Sequence, residues 1–262
     1  MVKKRVIDAI ASDDPKTKRW RMLFSSARMA YESGELRQAE TLLARAYELA
    51  KELPESSFAL QATEIGSAAV LLAEKRSKEA MKRLDRCISK LSSYSDPKHS
   101  ELTGVAIRFR AQALLDLGDE REAENELKRS AALLADLGID AAVQLAYSLS
   151  DLCALYLMQG RHSEAEPKIT KVMTILSAAL GPQDAEYTRA DMIYQLCLPM
   201  QPETRLEAAS DGVRRMEYSF GNKHPNISRA LDRYIKVLSE KGSHEKLEEV
   251  LKNFGLKTAS KH

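Results

Sequence analysis

Residues 149–167 run LSDLCALYLMQGRHSEAEP, and the fold is read from this stretch. With Leu145 just upstream, the apolar residues Leu149, Leu152, Cys153 and Tyr156 recur at i, i+4, i+7, i+8 and i+11, the spacing of one helical face. Gly160 then interrupts the pattern; glycine at a helix C-terminus adopts the left-handed conformation at low cost. Beyond it, Ala165, Ile169, Val172, Met173 and Leu176 rebuild an apolar stripe. The spacing predicts two antiparallel helices joined by a tight turn.

The same punctuation returns along the chain. Gly34, Lys75, Gly118, Gly160 and Gly242 are each followed five residues later by Ala39, Ala80, Ala123, Ala165 and Leu247. The first four small residues are spaced by 41, 43 and 42, and the last step is 82, room for two repeats. A recurrence of about 42 residues points to a solenoid of about six hairpins, because stacked repeats at such periods bury a continuous core. Twelve residues before each alanine another small side chain recurs: Ala27, Ala68, Ala111 and Cys153. Two small residues at fixed phases let paired helices approach at the short end of the usual 8–10 Å range. Turn signals such as SDPKH at 95–99 and LGPQD at 180–184 separate the units, and strand alternation is missing.

This pattern resembles the tetratricopeptide repeat, in the longer 42-residue, kinesin-light-chain-like variant, over about residues 16–254. The resemblance implies an all-α, right-handed superhelical solenoid of antiparallel helical hairpins. Units are expected at about 20–54, 55–96, 97–138, 139–182, 183–222 and 223–254, preceded by an arm or frayed helix at 1–15 and followed by a polar tail at 255–262. The fifth unit is degenerate: Pro199 and Pro202 should end its first helix early, since proline removes a donor and clashes with the preceding turn. Departures also matter. Ser150-Asp151 stands where the kinesin type has paired Asn, and no Asn lies in a first helix, so neither that ligand grip nor the carboxylate clamp of chaperone-binding repeats is carried over.

In such repeats first helices line the concave face, where solenoids bind partners. Projecting them from the alanine phase turns Arg21, Phe24, Arg28 and Tyr31 inward, then Ile65, Ala69 and Leu72, then Arg108, Phe109, Gln112 and Leu115. Tyr147, Ser150, Asp151, Ala154, Ile193, Tyr194, Cys197, Arg229, Asp232, Arg233 and Lys236 follow. Within this set the partner-binding residues are Arg21, Phe24, Arg28, Tyr31, Arg108, Gln112, Tyr147, Asp151, Tyr194, Arg229, Arg233 and Lys236. Arginine and aromatics supply area, stacking and forked hydrogen bonds at interface centres. The expected partner is an acidic or amphipathic protein or peptide segment, and the expected function a non-enzymatic adaptor. A peptide-sensing regulator and a self-assembling scaffold or accessory subunit are the alternatives. The nearly unbroken apolar run of Ile65, Ala68, Ala69, Val70, Leu71 and Leu72 reads as a helix buried between units one and three, with an apolar groove floor that receives a partner helix as the alternative.

Composition narrows the field further. Hydrophobic residues at 44% of 262 suffice for a core, and 40 Lys plus Arg against 38 Asp plus Glu leaves +2, which argues against nucleic acid as partner. Lys3, Lys4 and Arg5 are not followed by an apolar signal region, and no membrane span is expected, so a cytoplasmic location is the expectation. Cys87, Cys153 and Cys197 are too scattered for a disulfide framework or metal site. The five His, at 99, 162, 224, 244 and 262, show no metal spacing, and His99 and His224 take matching turn positions suited to helix capping. No phosphate loop exists, so no cofactor, metal or catalytic residue is assigned.

Overall fold

The structure, a computed structural model, describes residues 14–53 and 56–198 together with Asp211, Arg214, Arg215 and Tyr218. Among the described residues nine α-helices follow one another: α1 Pro15–Glu32, α2 Leu36–Ala50, α3 Ser56–Ala73, α4 Ser77–Leu91, α5 Pro97–Asp116, α6 Glu120–Asp136, α7 Ala142–Met158, α8 His162–Leu180 and α9 Ala185–Cys197. A single 3₁₀ turn, Gly138–Ala141, leads into α7. The chain divides at Leu149/Ser150, inside α7, into two compact units. In the first, consecutive helices pack in series, α1 on α2, α3 on α2 and α4, and α5 on α4 and α6. In the second, α8 packs on α9. This is an all-α, tetratricopeptide-like helical repeat.

The turn inside each hairpin has one construction. The amides of Glu35, Arg76, Asp119 and Arg161 reach back five residues to the carbonyls of Ala30, Leu71, Leu114 and Tyr156. The amides of Gly34, Lys75, Gly118 and Gly160 bond Tyr31, Leu72, Leu115 and Leu157. This pair of bonds satisfies carbonyls that a helix end leaves open, and it requires a left-handed residue between them. That residue has φ of 75°, 61°, 86° and 73° at Gly34, Lys75, Gly118 and Gly160. Lys75 is the one described non-glycine residue with positive φ, a conformation costing an L-residue roughly 1–2 kcal/mol.

Helix starts differ by position in the hairpin. First helices α1, α5 and α9 begin on Asp14, Asp96 and Asp184, whose carboxylates accept from the amides of Thr17 (2.8 Å), His99 (3.2 Å) and Glu186 (2.8 Å). Second helices α2, α4 and α8 start on Glu35, Arg76 and Arg161 with no side-chain cap, because the turn itself sets their entry. Asp119 caps α6 at 3.1 Å and is the exception. Helix α9 ends at Cys197, and Leu198 is extended at ψ 147°, the conformation favoured before a proline. The early stop expected from Pro199 is therefore met.

The packing alanines test the repeat directly. Ala39, Ala80, Ala123 and Ala165 are fully buried, as are Ala27, Ala68, Ala111 and Cys153. Around them Leu43, Leu84, Leu127 and Ile169 fill the hairpins. Trp20 lies wholly inside the first unit and donates Nε1–H to Thr63 Oγ1 at 3.0 Å, tying α1 to α3. Thr63 passes its own hydroxyl proton to the Ala59 carbonyl at 2.7 Å, so the buried polar pair is satisfied. Helix α3 is buried along Ile65, Ala68, Ala69, Val70 and Leu72, as expected of a helix apolar all round. Where α5 meets α6 and α7, Ser130 Oγ bonds both the Gly104 carbonyl (2.7 Å) and Ser148 Oγ (2.8 Å). A Cβ on Gly104 would stand 2.7 Å from Leu134 Cγ, so only glycine permits this approach.

One helix bears on the expectation that no segment spans a membrane. The segment Gly138–Met158 is 21 residues long and apolar enough to cross a membrane by length and composition. Most of it is buried inside the fold, so its apolarity is accounted for by packing.

Candidate functional site

The expected groove residues separate sharply by burial. Phe24 and Tyr31 are enclosed in the core beside Trp20, whose ring centroid lies 5.3 Å from that of Phe24. These two therefore pack the interior of the first unit. Ile65, Ala69, Leu72 and Phe109, projected inward but not assigned to a partner, are buried as well. The alanine phase does not by itself distinguish a solvated face from a covered one. Arg21, Arg28 and Tyr194 are half-buried and reachable. Arg229, Asp232, Arg233 and Lys236 lie outside the described residues.

Arg108, Gln112 and Tyr147 form the distinctive group of the first unit. All are more than nine-tenths buried, on helices otherwise packed with Leu102, Val105, Ala106 and Ala113. The Arg108 guanidinium carbon stands 4.5 Å from the Phe109 ring centroid and 5.6 Å from that of Tyr147. A desolvated guanidinium over aromatic faces gains from the ring quadrupoles, and its planar fork is suited to carboxylates.

In the second unit Asp151 is almost fully buried and accepts from Arg189 Nη1 at 3.1 Å. Arg189 Nε also donates to Glu186 at 3.1 Å, so one guanidinium bridges carboxylates on α7 and α9. Asp151 is thus held by a charge pair inside the unit. Arg215 extends the pattern with a 2.7 Å bond to Asp191.

Two clefts were not anticipated. One, of about 390 Å³, lies between α4 and α6 over Arg110 of α5 and is lined by Asp85, Ile88, Ser89, Glu122, Glu126 and Arg129. Arg110 reaches Asp85 at 2.8 Å and Glu126 at 3.4 Å, so its charges are matched internally. The second, about 350 Å³, collects Lys75, Arg76, Ser77, Lys78, Glu79, Asp116 and Leu117 at the α3–α4 turn. Ser77 donates to Asp116 there at 2.9 Å, and Arg76 is forked onto Glu79 at 2.8 and 2.9 Å. No signal in the sequence pointed to the first cleft, since Arg110 is one of two arginines in α5 and its partners lie on other helices.

Nucleophilic chemistry has little support at the cysteines. Burial pushes the thiols of Cys87, Cys153 and Cys197 up to about 12, so they hold their protons at neutral pH. Cys197, expected to face inward, is buried. His99 braces the Asp96 cap of α5: its ring Nδ1 is 2.6 Å from Asp96 Oδ2 and its ring stacks on Tyr94 at 4.2 Å. Among the described residues no group of three or more His, Cys, Asp or Glu could hold a metal ion.

No family model matches the chain, and no curated protein does. Solved structures do. A Rap protein complexed with Competence and Sporulation Factor is 15% identical with a TM-score of 0.76, covering 93% of this chain and 64% of its own. Aspartyl phosphate phosphatase F from Bacillus subtilis is 15% identical with a TM-score of 0.71, covering 97% and 60%. The apo form of RapI is 10% identical with a TM-score of 0.69, covering 94% and 85%. The chain thus spans under two thirds of the length of the first two, and at these identities the likeness is one of fold.

Proposed function

We propose that this chain is a non-enzymatic helical-repeat adaptor that receives an acidic or amphipathic segment of a protein or peptide on the face formed by its first helices. The observation that carries the reading is Arg108, desolvated over Phe109 and Tyr147 with Gln112 one turn along α5. The planar fork and charge of a guanidinium suit a carboxylate-bearing ligand. Arg21 and Arg28 give the same face reachable positive charge, although Arg28 is already bonded to Glu32 at 2.8 Å. Arg229, Arg233 and Lys236 extend the proposed surface in sequence. The Rap structure bound to Competence and Sporulation Factor supports the narrower version, a peptide-sensing regulator, by analogy of fold.

The test is binding of the full chain to an array of peptides graded in net charge, read by fluorescence anisotropy. Acidic peptides should bind, and the pair Arg21→Glu with Arg28→Glu should weaken them at least ten-fold while the circular dichroism spectrum is unchanged. Binding that ignores peptide charge, or that survives the double reversal in a folded protein, removes the proposal.

A further inference from the structure

The first unit exposes five large apolar side chains among its described residues. Tyr94, Leu117 and Ile139 sit in the connections between helices, whereas Met22 (70% exposed) and Met29 (62%) stand on α1. Seven residues apart, they differ by about 20° around the helix and about 10 Å along it. Ser26 lies between them and Ser33 beyond, both exposed, and Lys18 lies one turn before Met22. The opposite side of α1 is the core face of Trp20, Phe24, Ala27 and Tyr31. Core packing therefore does not account for the two methionines.

We propose that this strip of α1 is the contact between two copies of the chain, paired antiparallel about a two-fold axis level with Ser26. The sequence is self-complementary in that arrangement. Met22 of each copy lies against Met29 of the other, because a two-fold axis midway between them exchanges the positions. Unbranched, polarizable methionines adapt well to such reciprocal packing. The small Ser26 at the crossing lets the helices approach at the short end of the 8–10 Å range. The same operation brings Lys18 level with Ser33 of the second copy and within about 1.5 Å along the axis of Glu32, on one flank of the contact. Glu32 has a carboxylate 39% exposed and bonded by its own Arg28, so a second cation can join it from outside. One patch serves both copies, which closes the assembly at two.

The contact is one helix of about 27 Å against its copy, below the usual size of a stable interface. The dimer is accordingly weak, with a dissociation constant on the order of 10 to 100 μM. The pairing shares the Arg28–Glu32 bond with the partner-binding face proposed above but not Met22 or Met29, so the methionine variants test it independently.

Sedimentation equilibrium of the full chain from about 5 to about 500 μM brackets that constant. The mass should rise from 29.3 kDa toward twice that value. Met22→Glu with Met29→Glu should remain monomeric across the range with an unchanged circular dichroism spectrum. Lys18→Glu should weaken pairing about ten-fold, and adding Glu32→Lys should restore it, since the charges are exchanged. Ser26→Cys under oxidised glutathione should yield a disulfide-linked dimer, against a background kept low by the burial of all three native thiols. Ser89→Cys, exposed on α4, is the control. A wild type monomeric throughout, a mass climbing past two copies, or Ser26→Cys linking no faster than Ser89→Cys overturns the proposal.

Discussion

Aligned on Ala68 and Ala111, helix α3 places Ile65, Ala69 and Leu72 where α5 places Arg108, Gln112 and Leu115. The surrounding architecture is the same. Both helices enter a second helix through the same five-residue return of the backbone, and both bury the alanine completely. Only the chemistry at the inward phase differs, apolar in one and charged in the other, and both versions are covered. The repeat therefore specifies where a side chain goes, and leaves each hairpin to decide what is buried there. Packing residues recur because geometry demands it; the polar set of α5 and α7 is local, which is why the proposed ligand contacts are drawn from it.

Transplanting the charge is the harshest way to break the comparison. Ile65→Arg would put a guanidinium into the fully apolar α3 site without the rings that flank Arg108, costing about 3–5 kcal/mol or preventing folding. Urea unfolding followed by the fluorescence of Trp20, the chain's one tryptophan, measures this. A loss under about 1 kcal/mol would mean that the two phases are equivalent after all.

The helix contacts give the next effect. Hairpin two carries buried Gln61 where hairpin three carries Gly104. Gly104→Ala should cost about 1–3 kcal/mol, since its Cβ meets Leu134 Cγ at 2.7 Å, in the middle of a buried side chain with nowhere to turn. The same unfolding assay reads it. The turns then supply a change in the opposite direction. Lys75→Gly should stabilise by up to about 1 kcal/mol, by relieving the left-handed strain at φ 61°, and Gly118→Lys should destabilise by a similar amount. If both changes are neutral, the turn conformation carries no strain.

The smallest effect is electrostatic and separates capped from uncapped starts. Asp14 has its carboxyl held below the usual range by the Thr17 amide. For Asp96, burial alone would raise the value, and the amide and imidazole of His99 outweigh it to lower it. A carboxylate lowered on folding contributes stability that is present above its unfolded value, 3.8, and is lost as pH falls through the lower folded value. Thermal unfolding between about pH 5 and pH 2 should fall more steeply for wild type than for Asp96→Asn, which keeps an acceptor but does not titrate. Parallel curves would mean that the cap is not charge-assisted.

Several features were legible because they are local. Helical stripes, the left-handed turn residue and the stop before Pro199 each depend on a few neighbouring residues, and the spacing of Ala39, Ala80, Ala123 and Ala165 repeats them visibly. Residues that reach across helices were not legible. Nothing in the sequence marks Asp151 as the partner of Arg189, 38 positions away, or Arg110 as the bridge from Asp85 to Glu126.

What the chain's letters alone determined is the repeat: period, hairpins, turns and the small residues at their crossings, all consequences of side-chain size and backbone φ over short range. What the tertiary structure decided is exposure. Phe24 and Tyr31 went inside, Met22 and Met29 stayed out, and Arg108 was enclosed with its rings. Whether a helical face is covered depends on neighbours brought together by packing, and periodicity, which carries only the direction of each side chain, holds no record of them.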